Sequence, residues 1–108
     1  MCDIIITMKL NPNNPREART VPTISLFYGI LISMYFEKDG QHHTPHFHAR
    51  YGEYKAEVDF NGDLLAGNMP PKQAAYIKAW AYIHQEELRL NWELALNDEQ
   101  PFRIDPLK

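Results

Sequence analysis

The chain has 108 residues, enough for one domain and too few for two. Hydrophobic residues make up 44% and charged residues 23%, so it can bury a modest core and is not a disordered chain. A net charge of −3 excludes a broadly basic nucleic-acid-binding coat. Arg16, Arg19, Arg50 and Lys55 still leave room for a local RNA or nucleotide site.

Residues 1–20 read as an N-terminal appendage. Asp3 to Leu10 has the pattern of a short strand, and Asn11-Pro12-Asn13-Asn14-Pro15 interrupts it. The start has neither a basic region nor a long apolar stretch, so no signal peptide is expected. Cys2 is the single cysteine, which excludes an internal disulfide framework and suits a reducing compartment. The expected location is the cytoplasm.

Residues 21–108 form the single α+β domain. From Thr23 to Phe36 both alternating phases are largely apolar. This predicts one central, two-sided strand or a pair of strands, with Gly29 at a bulge or bend. The run falls short of the roughly 20 residues of a membrane helix, and no membrane contact is expected. Glu37 to Gln41 is a turn, and His42-His43-Thr44-Pro45 continues the loop.

The strongest local signal follows. Phe47, Ala49 and Tyr51 alternate with His46, His48 and Arg50; after Gly52-Glu53, Tyr54, Ala56 and Val58 alternate with Lys55, Glu57 and Asp59. Glycine at the first central position predicts a type II′ hairpin turn. The resulting register sets Tyr51 against Tyr54, Arg50 against Lys55, His48 against Glu57 and His46 against Asp59. The Phe47–Ala49–Val58 side is apolar and is expected to lie under a helix, leaving both histidines accessible on the other side.

Asn61-Gly62 predicts a second two-residue hairpin, with Leu65 opposite Val58 and Leu64 beside Asp59. Pro71 suits a first helical turn. Ile77, Trp80, Ala81, His84, Leu88, Trp92 and Leu96 then repeat at helical spacing, giving one long helix or one bent near His84 to Glu86. His84 is expected to bond to backbone or Asn91, and Asn91 to cap or to reach the sheet. Pro101 to Lys108 is a tail that can lie on the body through Phe102, Ile104 and Leu107. The fold class is α+β: a small antiparallel sheet of four to five strands with one long or bent C-terminal helix packed on one face.

Two imidazoles facing two carboxylates suggest chemistry. His46, His48, Glu57 and Asp59 are the candidate catalytic residues, with a histidine as general acid or base. Arg50 and Lys55 would hold a phosphate, while Tyr51 and Tyr54 would stack on a base. His46 and His48 are also candidate ligands for a divalent transition metal, with His42 and His43 as further donors. The spacing lacks the specificity of a zinc ribbon or an HExxH helix. Simple charge compensation between cross-strand neighbours accounts for the same residues equally well.

Pro22-Thr23-Ile24-Ser25-Leu26-Phe27-Tyr28-Gly29-Ile30, the segment from Pro45-His46-Phe47-His48 through Ala56, and Asn91-Trp92-Glu93-Leu94-Ala95 together resemble the bacterial family called domain of unknown function 4160. The resemblance spans about residues 21–107, and members usually begin near the position of Val21. It implies a partner-dependent interaction module of a paired, toxin–antitoxin-like gene system, acting with a small protein encoded beside it. A homo-oligomer is a separate expectation, since Leu64 needs cover and a dimer mate could provide it. The alternative is a small hydrolase or ribonuclease using the His46/His48 face, with or without a metal.

Overall fold

The computed structural model describes residues 22–36 and 44–108. The appendage, the turn at Glu37 to Gln41, and the His42-His43 pair lie outside the described residues. Five antiparallel strands run in chain order across one sheet: β1 (Thr23–Phe27), β2 (Ile30–Ser33), β3 (His46–Tyr51), β4 (Tyr54–Asp59) and β5 (Leu64–Gly67). Helices α1 (Pro71–Ile83) and α2 (Gln85–Leu96) follow.

The Thr23–Phe36 run resolves into a hairpin, not one two-sided strand. Tyr28 and Gly29 both have positive φ, 50° and 77°, the requirement of a type I′ turn whose twist matches the flanking strands. Tyr28 tolerates this conformation with its ring packed 4.8 Å from Tyr76. The ladder slips between Thr23 and Ser25, leaving Ile24 as the extra residue of a bulge.

The β3–β4 hairpin has the predicted register at all six pairs, from Tyr51↔Tyr54 to His46↔Asp59. Gly52 has φ 58° and Glu53 is not in the left-handed region, as a type II′ turn requires. Phe47, Ala49 and Val58 are buried under the helices, with Phe47 5.5 Å from Trp80.

The β4–β5 connection departs from expectation. The Asp59 carboxylate accepts the N–H groups of both Asn61 and Asp63 at 2.9 Å, and Gly62 N–H donates to the Asp59 carbonyl. Asp59 thus faces Asp63 across a three-residue loop, with Gly62 at φ 88° in the position of a glycine bulge. The extra loop residue moves Leu64, not Leu65, opposite Val58, and a further slip lets Ala66 meet Glu57.

One helix, long or bent near His84 to Glu86, was expected; two helices form, and the break falls at His84. His84, at φ −111° and ψ 30°, separates them. The break shifts the apolar phase, so Ala95 is buried and Leu96 is 46% exposed. His84 bonds neither backbone nor Asn91 through its ring; its Nδ1 lies 2.5 Å from the Glu87 carboxylate one turn on. Gln85 donates to the Phe60 carbonyl, tying the start of α2 to the β4–β5 loop.

Two tryptophans organise the core. Trp80 packs on Phe27, Phe47 and His84, while Trp92 packs on Phe36, His46 and Phe60. The tail closes the remaining side. Asn91, fully buried, bonds not to the sheet but to Phe102, donating to its carbonyl and accepting its N–H, both at 2.9 Å. Trp80 Nε1 donates to the Asp105 carbonyl, and Ile104 N–H donates to the carbonyl of Ile24 at the β1 bulge. Ile104 is buried and Leu107 partly so; Phe102 contributes its backbone while its ring stays 40% exposed.

Candidate functional site

The face of the sheet turned away from Phe47 and Val58 follows from the strand register. One row across it runs Leu26, Leu31, Arg50, Lys55. The next runs Ser33, His48, Glu57, Ala66. Arg50 and Lys55 are both exposed, as are Leu26 and Ala66. Opposed side chains on adjacent antiparallel strands have Cβ atoms about 4.5–5.5 Å apart, and like charges in that position destabilise the sheet. Neither Arg50 nor Lys55 has an ion pair or side-chain hydrogen bond among the described residues.

His48 is half-buried in the adjoining row. Its ring stacks on Tyr35 with centroids 4.3 Å apart and planes 5° from parallel. The Tyr35 hydroxyl is 3.5 Å from His48 Nδ1, so the contact is stacking and not a strong hydrogen bond. Tyr35 was absent from the sequence-derived set. Its signal was the alternation that carries on past β2, Leu31, Ser33, Tyr35, which becomes legible once Tyr28-Gly29 is recognised as a turn.

His46 shares the register position but not the environment. It is 1% exposed, its ring 5.4 Å from Trp92 and 5.1 Å from His48. Its Nδ1 donates to the Thr44 carbonyl at 2.7 Å. The expectation that both histidines are accessible fails here, because the Trp92 ring packs against the His46 imidazole. Asp59 stands opposite His46, yet its carboxylate caps the β4–β5 loop. The four candidate catalytic residues therefore occupy one hairpin but divide in circumstance: His48 and Glu57 mid-strand, His46 beneath a tryptophan, Asp59 in a turn. Among the described residues no group of three or more histidine, cysteine, aspartate or glutamate side chains could hold a metal ion.

The binding residues divide as well. Tyr51, Tyr54 and Lys55 line a cleft of about 670 Å³ at the hairpin tip, walled on its other side by Gly67 and Asn68. Gly67 has φ 87°, and a Cβ there would sit 2.2 Å from the Lys55 carbonyl, so the two backbones touch. Tyr54 is 46% exposed, whereas Tyr51 packs partly into the core. Arg50 does not line the cleft and belongs to the open face.

These features define a small α+β domain with helices on one sheet face and a mixed cationic, imidazole and apolar surface on the other. No helix among the described residues is long and apolar enough to cross a membrane. Residues 29–93 match the family described as Domain of unknown function (DUF4160), and the chain belongs to that family. No curated protein and no solved structure gives a significant match to it.

Proposed function

We propose that the protein is a partner-dependent interaction module that docks an acidic segment of another small protein on the open sheet face. The observation carrying this is the Arg50–Lys55 pair: two exposed cations directly opposed, neither of them in an ion pair among the described residues. Such a pair costs stability in the isolated domain. An approaching carboxylate removes that cost, and exposed Leu26 with half-buried Leu31 extends the row as an apolar contact. Arginine beside apolar side chains is the usual make-up of an interface centre. The partner fitting the family resemblance is a protein encoded beside this one, in a toxin–antitoxin-like pair. Co-expression with the adjacent gene product tests this. The wild type should retain the partner through purification, and Arg50→Gln with Lys55→Gln should lose it while melting no lower than the wild type, because the opposed like charges are gone. Undiminished retention by the double variant would sink the proposal.

A second reading rests on the opposition of His48 to Glu57, one row from the two cations. In it, His48 acts as general acid or base on a phosphodiester held by Arg50 and Lys55, and Tyr54 stacks on a base. His48→Gln should then abolish RNA cleavage by the purified protein without lowering its Tm by more than a few degrees. Cleavage that persists in His48→Gln, or that the wild type lacks, rules this reading out.

A further inference from the structure

The β4–β5 loop carries an Asn61-Gly62 pair, and the fold holds both halves of it in place. In such a pair the glycine amide nitrogen is a nucleophile for the asparagine side chain, since glycine has no Cβ to obstruct the approach. The Gly62 nitrogen gives up its proton and bonds to Asn61 Cγ; the Cγ–Nδ2 bond breaks and ammonia leaves. Water then opens the resulting cyclic imide at either carbonyl, leaving aspartate or isoaspartate at position 61. No enzyme, metal or oxidant is required. In the closed loop this reaction is blocked at the nitrogen. Gly62 is buried and its N–H donates to the Asp59 carbonyl at 3.0 Å, which keeps water and hydroxide from its proton. The Asn61 side chain is held as well. Its Oδ1 accepts from Gln85 Nε2 at 3.2 Å, and the same Nε2 donates to the Phe60 carbonyl. The Asp59 carboxylate closes the loop by accepting the N–H groups of Asn61 and Asp63.

We infer that Asn61 is a site of spontaneous deamidation, gated by opening of the Asp59-capped loop. A surface loop opens locally without unfolding the domain around it. Asn61 itself is exposed, so once the Gly62 N–H leaves the Asp59 carbonyl the reaction needs only water. The change is one-way. Isoaspartate carries an extra methylene in the main chain, and the loop has no room for it: one added Cβ at Gly62 would already lie 2.7 Å from the Lys78 Cα. Either product also adds a carboxylate between Asp59 and Asp63, where Lys78 is already paired with Asp63. Conversion therefore loosens the loop from both helices, at Lys78 on α1 and at Gln85 on α2. The inference is independent of the docking proposed for the Arg50–Lys55 face.

Peptide mapping by mass spectrometry of the full chain, aged in mildly alkaline buffer, tests this. Asn61 should convert in the native chain at least about tenfold more slowly than in the same buffer with denaturing urea. Asp59→Ala and Gln85→Ala should each speed the native conversion. Asn91→Ala, which weakens the core away from the loop, should leave it unchanged. The isoaspartyl form, separated by ion exchange, should melt below the unconverted chain. Native conversion as fast as in urea overturns the proposal, as does a native rate that neither loop variant raises. Equal acceleration by Asn91→Ala makes global unfolding the gate and overturns it too. An isoaspartyl chain that melts like the unconverted one sinks the one-way release.

Discussion

Asn91 shows how much one polar side chain can hold when it is buried. Its amide completes a two-way exchange with the backbone of Phe102, so both a donor and an acceptor of the side chain, and both polar groups of the tail residue, are satisfied in the core. Asn91→Ala leaves the Phe102 N–H and carbonyl without partners and should cost about 2–4 kcal/mol, read as a lowered urea midpoint. A cost under about 1 kcal/mol would mean that water replaces the amide there. Asp59 is spent in the same way, on two backbone N–H groups of a loop. Both residues have the composition of a functional site and the hydrogen bonding of a structural one.

Among the elements, the two glycine turns on either side of β4 make opposite demands. Gly52 sits at an open hairpin tip, where an added Cβ meets nothing within 4 Å. At Gly62 the same Cβ would lie 2.7 Å from the Lys78 Cα, because the β4–β5 loop is pressed against α1. Both have positive φ. Gly52→Ala should therefore cost only the left-handed penalty, about 1–2 kcal/mol, whereas Gly62→Ala should cost at least about 3 kcal/mol through the added overlap. Thermal melts of the two variants should differ by several degrees, and equal Tm values would refute the close packing. The same contrast explains what could be read from residues alone. At Gly52 the turn is set by local backbone preference and the flanking alternation is unbroken, so the β3–β4 register and the His48–Glu57 opposition were legible. At Asn61-Gly62 the Asp59 side chain reaches forward to choose a longer loop, and the register of Leu64 moved with it. His46 was illegible for a longer-range reason: its ring is covered by Trp92, which lies more than forty residues further along the chain.

For the molecule as a whole, the last strand-like contact is made by the tail and not by the sheet. Ile104 bonds the carbonyl freed by the β1 bulge, Asp105 receives the Trp80 indole N–H, and Ile104 fills the core between them. Removing residues 103–108 deletes one buried isoleucine and leaves two buried groups unsatisfied. The loss is on the order of 5 kcal/mol, comparable to the whole stability of a small domain. The truncated chain should show no cooperative melt, and a native-like transition would refute the closure. Removing residues 1–20 should cost less than roughly 1–2 kcal/mol, in keeping with a family match that begins at residue 29. A collapse in Tm for that chain would make the appendage part of the core.

That closure by the tail bears on how the protein is made. A domain whose first strand is completed by residues near position 104 cannot fold progressively as it emerges from the ribosome. Its β1–β2 hairpin must wait, apolar and incompletely covered, until the residues around Ile104 have left the exit tunnel. During that interval it is exposed to chaperones and proteases, and to whatever binding partner is being synthesised close by.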